Sequence, residues 1–145
     1  SDAKIICHQV NCQGVMGSGV AKEVRERYPK VYEKYHTYCE SNKDCPERML
    51  GVAQMVPVDE KGSRWIVNCF GQNGYGYDGK QYTSVGALFE AFKEVAKIAK
   101  ASGVKVAMPY GIGCVRGGAK WLLVKEIIDF TFKDVDVELW RLEGK

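Results

Sequence analysis

The hydrophobic residues of this chain alternate between the spacing of strands and the spacing of helices. Residues 4–10 form a short apolar run that predicts a buried strand. Residues 18–41 carry a helical pattern that Pro29 divides, since proline breaks the interior of a helix. Two further strands are predicted at 50–56 and 64–70, joined by a polar turn. The first half therefore predicts a strand, one or two helices and a pair of strands.

The clearest helix lies in the second half of the chain. Apolar residues recur there at i, i+3, i+4 and i+7, namely Val85, Leu88, Phe89, Phe92, Val95, Ala96 and Ala99. Thr83 or Ser84 is placed to cap the start of this helix, and Gly103 is placed to end it.

Three more elements complete an alternation of strands and helices. They are a strand at 104–108, a helix at 119–132 and a last strand at about 135–142. Such alternation predicts an α/β fold in which a mixed sheet lies between helical layers, a three-layer α/β/α arrangement. We expect a single domain over residues 1–145, because a chain of this length can bury one core. In such sheets, ligands bind beyond the carboxyl ends of the strands.

Composition narrows the class of protein. The 145 residues are 46% hydrophobic and 27% charged, with a net charge of +3 from dispersed Lys and Arg. That mild balance gives no signature of nucleic-acid binding, and no apolar run approaches the length of a membrane span. The six cysteines form no C-x-x-C pair and only two histidines are present, so no metal site is expected. Free thiols are typical of an intracellular protein, and we expect a cytoplasmic location.

Two glycine-rich turns carry the strongest functional signal. Residues 11–22, NCQGVMGSGVAK, follow the first strand and lead into a helix; residues 109–118, PYGIGCVRGG, follow the strand at 104–108 in the same way. Glycines let the backbone approach a ligand, and a helix N-terminus supplies N–H groups and partial positive charge for an anion. Two such anion-binding turns predict a diphosphate held between two loops, and hence a nucleotide-like ligand.

These turns do not match the common nucleotide motifs. The first lacks the lysine of a P-loop, and it does not fit the G-x-G-x-x-G pattern of a nicotinamide dehydrogenase. Tight strand-to-helix turns without a ligand remain the alternative. The glycine- and tyrosine-rich residues 71–82 are interpreted as a flexible flap whose rings could stack on a base or ribose.

Two polar residues of the first strand are candidates for chemistry. Asn11 closes the strand, where its amide could bind a sugar hydroxyl pair or form a turn with its own backbone. His8 is either a catalytic residue or a packed strand histidine. The period of two places His8 and Val10 on one face, with Cys7 and Gln9 on the other.

The assembled motifs resemble the macro domain, an α/β/α module that binds ADP-ribose. The resemblance runs from Asp2 to about Leu142 and is carried by DAKIICHQVN at 2–11, MGSGVAK at 16–22 and MPYGIGC at 108–114. It implies ADP-ribose as the ligand, with Asn11 near the distal ribose and no metal or other cofactor. It also implies two sets of residues along the diphosphate: Gly17, Ser18, Gly19 and Val20 on one side, and Gly111, Ile112, Gly113, Cys114 and Val115 on the other.

Within this family, IVNCFGQ at 66–72 and PYGIGC at 109–114 resemble the branch with the terminal ADP-ribose glycohydrolases and the yeast ADP-ribose-1″-phosphate phosphatase. The glycohydrolases use a lysine where this chain has residues 69–72, CFGQ, and an aspartate that falls at about Gly117. Their mechanism is therefore not transferred. His8 matches a histidine proposed as catalytic in the phosphatase. The family's usual first edge strand, with its adenine-binding acidic residue, has no counterpart in this sequence.

Three functions follow as hypotheses. The leading one is an enzyme that hydrolyses an ADP-ribose derivative, either an ADP-ribosyl linkage to a macromolecule or ADP-ribose 1″-phosphate, with His8 and Asn11 as the catalytic candidates. The second is a non-catalytic reader that binds ADP-ribose. The third is a thiol-based redox or regulatory protein built on Cys7, Cys12, Cys69 and Cys114.

Overall fold

The computed structural model describes residues 2–76, 78, 80–115 and 117–141. In chain order the strands are β1 (Ile5–Asn11), β2 (Ala53–Pro57), β3 (Trp65–Gln72), β4 (Val106–Pro109) and β5 (Val137–Trp140). The helices are α1 (Gly19–Arg27), α2 (Pro29–Ser41), α3 (Val85–Ser102) and α4 (Trp121–Thr131), with a short 3₁₀ helix at Pro46–Met49.

The strands form one mixed sheet in the order β2-β3-β1-β4-β5. β1 is parallel to both β3 and β4, and β4 is parallel to β5, whereas β2 runs antiparallel to β3. The carboxyl ends of β1, β3 and β4 therefore meet at one edge of the sheet. Both glycine-rich turns leave the sheet at this edge.

Hydrophobic side chains bury both faces of the sheet. On one face, Ile5, Cys7 and Val67 pack with the apolar residues of α3 and α4. On the other face, Val10 and Phe70 pack against α2, and smaller contacts involve α1. This arrangement confirms the three-layer α/β/α prediction, and burial of both faces explains the apolar character of β1 and β3.

The predicted element boundaries agree with most of the structure. Pro29 is the first residue of α2, and α1 ends just before it. Ser84 caps α3, since its hydroxyl accepts the Ala87 N–H at 3.2 Å, and Gly103 ends that helix with a φ of +67°. The prediction for 50–56 was wrong at its start, because a 3₁₀ helix and a turn precede Ala53. The last strand ends at Trp140, and Leu142 lies outside the described residues.

None of the helices in the described ranges is both long and apolar enough to cross a bilayer.

The α3 cap gives a direct test of this fold. Ser84→Ala removes the acceptor of the Ala87 N–H and should lower the free energy of unfolding by about 1 kcal/mol, measured by urea denaturation. Ser102→Ala makes the same chemical change at an exposed residue near the other end of α3 and should change it by less than about 0.5 kcal/mol. Equal effects of the two substitutions would contradict the cap.

Candidate ligand-binding site

A cavity of about 550 Å³ opens at the edge where the parallel strands end. Its walls come from the end of β1, the start of α1, the loop after β3, and the turn that follows β4. The residues that line it are His8, Gln9, Val10, Asn11, Val15, Gly17, Ser18, Gly19, Val20, Ala21, Gln72, Tyr75, Gly76, Pro109, Tyr110, Gly111, Ile112, Gly113, Val115, Gly117, Trp140 and Arg141. This volume lies within the range of small-molecule and cofactor sites.

Asn11 shapes the first loop through its side-chain amide. Its Oδ1 accepts hydrogen bonds from the Gln13 N–H at 2.9 Å and from the hydroxyl of Tyr35 at 2.8 Å. Its Nδ2 donates to the Val15 carbonyl at 2.8 Å. The turn-forming interpretation of Asn11 is therefore correct, and the second N–H of Nδ2 has no partner among the described residues.

The start of α1 presents backbone donors to the cavity. The N–H groups of Gly19, Val20 and Ala21 precede the first hydrogen bond of the helix, which Lys22 donates to the Ser18 carbonyl at 3.2 Å. No side chain caps this helix, and no acidic residue lies in its first turn. Unsatisfied N–H groups at the positive end of a helix form a natural anion site.

Gly19 keeps this helix end open. Its φ is +59°, and a Cβ built on it would meet no atom within 4 Å. The backbone conformation favours glycine there, while the space in front of it stays empty. A ligand can therefore approach the backbone directly.

The second loop is a series of turns after β4. The Ile112 N–H donates to the Pro109 carbonyl at 3.2 Å, and the Cys114 N–H donates to the Gly111 carbonyl at 2.9 Å. Gly111 and Gly113 have φ values of +81° and +80°, which glycine adopts without strain. The loop faces the start of α1 across the cavity, so the two glycine-rich segments lie on the same ligand site.

His8 is buried and neutral beside the cavity. Its Nε2 lies 2.6 Å from Asn68 Oδ1, and Asn68 Nδ2 in turn donates to Gln54 Oε1 at 2.9 Å. This assigns the proton to Nε2 and leaves Nδ1 as an acceptor, which is buried without a partner among the described residues. Burial lowers the pKa of His8 to about 4, although the hydrogen bond with Asn68 opposes that shift. At neutral pH, His8 is therefore a hydrogen-bond acceptor and not a proton donor to a ligand.

The structure brings most of the predicted site residues together. His8 and Asn11 line the cavity, as do Gly17, Ser18, Gly19, Val20, Gly111, Ile112, Gly113 and Val115. Cys114 does not: its side chain packs against the core of the α3 and α4 side, with its thiol directed at the Ile112 carbonyl. The turn directs the Cys114 side chain inward, so any contact of Cys114 with a ligand would be made by its backbone.

Other lining residues were not predicted. Tyr110 and Trp140 bring aromatic surface to the cavity, and Arg141 is the only charged side chain among the described lining residues. The Arg141 guanidinium lies 4.0 Å from the centre of the Tyr110 ring, which it can hold by a cation–π contact. The aromatic residues at the carboxyl ends of β4 and β5 were the sequence feature that could have indicated this wall of the cavity. Tyr75 and Gly76 of the expected flap also line the cavity, whereas Tyr77 and Gly79 lie outside the described residues.

The surroundings of Cys7, Cys12 and Cys114 work against a thiol-based function. All six cysteines are free. Burial raises the pKa of Cys12 to about 12 and also raises that of Cys114. The pKa of Cys7 is raised by its hydrogen bond with Cys69 and by burial. The thiolate is the reactive form, so these shifts disfavour nucleophilic or redox chemistry. In the ranges that the structure covers, no group of three or more His, Cys, Asp or Glu side chains is arranged to hold a metal.

Comparison with known proteins gives two named activities. The chain is 37% identical over 57 residues to an ADP-ribose 1″-phosphate phosphatase from Scheffersomyces stipitis, covering 39% of this chain and 33% of that protein. It is 26% identical over 150 residues to a DNA ADP-ribosyl glycohydrolase from Mycobacterium tuberculosis, covering 99% of this chain and 40% of that protein. The chain thus spans about half or less of the length of these curated relatives.

Solved structures share the whole fold. A protein of unknown function from Bacteroides thetaiotaomicron superposes with a TM-score of 0.84 at 30% identity, over 98% of this chain and 89% of that one. The structure of Thermosipho africanus DarTG in complex with ADP-ribose superposes with a TM-score of 0.79 at 20% identity, over 100% of this chain and 39% of that one. At that identity the second match shows the fold alone.

The family model described as the macro domain matches residues 7–128, which include most of β1, both glycine-rich loops and most of α4. The mixed sheet, the flanking helices and the two loops at one sheet edge agree with that match. The chain belongs to the macro domain family.

Proposed function

We propose that the cavity binds ADP-ribose and that the chain hydrolyses an ADP-ribose derivative, either an ADP-ribosyl linkage to a macromolecule or ADP-ribose 1″-phosphate. The observation that carries this proposal is the pair of glycine-rich loops that face each other across one cavity. The relatives named as a phosphatase and as a glycohydrolase support the same substrate class.

The two loops would hold the diphosphate. The free N–H groups at the start of α1 and the backbone N–H groups of Gly111 and Gly113 offer neutral donors, and the helix dipole favours the negative charge. Trp140 provides aromatic surface for a base at one end of the cavity, next to the Tyr110 ring over which the Arg141 guanidinium lies. Asn11 would bind the distal ribose through the N–H of Nδ2 that its turn leaves unused.

Hydrolysis in this site would depend on positioning more than on a strong base. His8 is neutral at physiological pH, so in this proposal it contributes as an acceptor through Nδ1. The diphosphate oxygens or a backbone carbonyl would then orient the attacking water, and the loop donors would stabilise the charge that develops.

A non-catalytic reader is the second candidate, and a specific observation favours it. The stretch 69–72, where the related glycohydrolases have a lysine, holds none in this chain, and Gly117 lies at about the position of their aspartate. A Cβ at Gly71 would collide with the side chain of Gln9, and one at Gly117 would collide with Thr83. These positions are filled by a neutral network, which suits binding without turnover.

A cytoplasmic location and an ADP-ribosylated macromolecule as the partner remain proposals, supported by the free thiols and by the relatives' activities.

Calorimetry with ADP-ribose tests the binding site, and turnover then separates the two candidates. We expect 1:1 binding in the micromolar range or tighter, with weaker binding of ADP, which lacks the distal ribose, and of NAD, which carries a bulky nicotinamide on it. Release of phosphate from ADP-ribose 1″-phosphate, or of ADP-ribose from modified DNA or protein, would select the hydrolase. Tight binding with no turnover of any of these substrates would select the reader, and a flat titration would remove both.

Gly19 provides a matched pair of variants for the first loop. Gly19→Glu places a carboxylate at the open helix end and should weaken ADP-ribose binding by roughly 100-fold or more, because the like charge and the bulk occupy the diphosphate site. Gly19→Ala introduces the same strain at positive φ without the charge, and should cost stability by about 1 kcal/mol while keeping most of the affinity. Unchanged affinity in Gly19→Glu would show that the diphosphate does not lie at α1.

Because His8 is buried and neutral, we predict that acid lowers the free energy of unfolding. The unfolded chain binds a proton at His8 near pH 6.5, whereas the folded chain does so only near pH 4, so the free energy of unfolding falls as the pH falls between them. Between pH 7 and pH 5 the loss attributable to His8 should be about 2 kcal/mol. His8→Gln should remove this component of the pH dependence in urea titrations, and His36→Gln should leave it in place. An equal pH slope in wild type and His8→Gln would show that His8 is not held neutral.

A further inference from the structure

A hydrogen-bonded network of uncharged side chains connects the two glycine-rich loops from beneath. Gln9 lies two residues before the first loop on β1, and its Nε2 donates to Gln72 Oε1 at 2.6 Å and to Thr83 Oγ1 at 2.7 Å. The Thr83 hydroxyl donates to the Gly113 carbonyl of the second loop at 2.7 Å. Two hydrogen bonds therefore link the strand that begins the first loop to the backbone of the second.

The same network extends to the loop after β3. Gln72 Nε2 donates to the Gly74 carbonyl at 2.8 Å, just before the cavity-lining residues Tyr75 and Gly76. The register of β1 and β3 shifts between Val10 and Asn11, which leaves Gly71 as the extra residue on β3. The Gly71 carbonyl then accepts the Ser84 N–H at 2.7 Å.

The backbone around this network is shaped to fit the Gln9 side chain. A Cβ at Gly71 would collide with Gln9 Oε1, one at Gly113 would lie only 3.1 Å from the same oxygen, and one at Gly117 would meet Gln9 Nε2 at 2.9 Å. Three glycines thus surround one carboxamide, whose Oε1 is buried with no hydrogen-bond partner in the described part of the chain. The nitrogen makes the connections, and the oxygen fills the space between the glycines.

We propose that Gln9 is a positioning residue that sets the spacing between the two phosphate-binding loops, acting on the second loop through Thr83. This inference rests on the proposed ADP-ribose site, because a diphosphate that spans both loops requires their separation to be held within a narrow range. The backbone of β1 fixes the position of the first loop, because that loop begins at its end. The Gln9 carboxamide fixes the position of Gly113 relative to β1 through its hydrogen bond with Thr83. Gln9 and Thr83 need not touch the ligand for this role.

Thr83 offers the cleanest variants. Thr83→Val keeps the shape but removes both the acceptor for Gln9 and the donor to Gly113, and it should weaken ADP-ribose binding about 10-fold or more. Thr83→Ser keeps the hydroxyl and should bind within about 3-fold of wild type. Thr131→Val is the matched control, because the Thr131 hydroxyl is buried in α4 with no partner among the described residues and lies outside the cavity lining. It should leave the affinity unchanged.

A double-mutant cycle shows whether Gln9 and Thr83 affect ADP-ribose binding through the same hydrogen-bonded connection or independently. Gln9→Met fills similar volume without a donor and should weaken binding to a similar degree as Thr83→Val. The double variant should be little worse than either single one, because both remove the same connection. Full additivity, or an unchanged affinity in both single variants, would overturn the positioning role. If Gln9→Met does not fold, Thr83→Val against Thr83→Ser still decides the question.

Hydrogen exchange on the unliganded variants tests the positioning without any ligand. Amides of residues 111–115 and 73–76 should exchange faster in Thr83→Val and Gln9→Met than in wild type or Thr83→Ser, while amides of α4 keep their protection. Unchanged exchange in both loops would contradict the proposal whatever the ligand is. If the wild-type protein does not bind ADP-ribose but the variants show the expected differences in exchange, the proposed function is wrong. The positioning role of Gln9 and Thr83 is then still supported.

Discussion

The parallel pairing of β1 with β3 and β4 is the constraint on which the site depends. Parallel strands deliver their carboxyl ends to one edge, so the turns after β1 and β4 must emerge side by side. Because β1 lies in the middle of the sheet, its backbone is held from both sides. The backbone N–H groups of the glycine-rich turns can then stay exposed to a ligand. The paired strands hold these turns in place although α1 has no side-chain cap.

β1 divides its residues between structure and site. Cys7 and Ile5 pack into the α3 and α4 side of the core, while His8 joins a polar chain through Asn68 to Gln54. Gln9 points toward the second loop, and Asn11 folds the first one. The seven residues of β1 thus contribute to the core, to the lining of the cavity and to the contacts that hold both of its loops.

The sequence was most informative where a local rule decides the structure. Pro29 divides two helices, Ser84 caps α3, and the glycine-rich turns lie where the strand–turn–helix pattern predicts them. The inward side chain of Cys114, the cavity wall at Trp140 and Arg141, and the partners of Gln9 were not predictable in this way. Each depends on how distant segments meet: Gln9 and Thr83 are 74 positions apart, and only the packed sheet shows that their side chains touch.

The crowding around Gln9 has an evolutionary consequence. Positions 9, 71, 83 and 117 fill one small volume, so a larger residue at Gly71 requires a smaller one at Gln9. A larger residue at Gly117 requires a smaller one at Thr83 and a shift of the Gly113 carbonyl. A single substitution to a larger residue at 71 or 117 would therefore give a misfitted protein. These positions should therefore vary together among descendants of this sequence, and a lineage that carries the neutral network is separated from one with charged residues there by several coordinated changes.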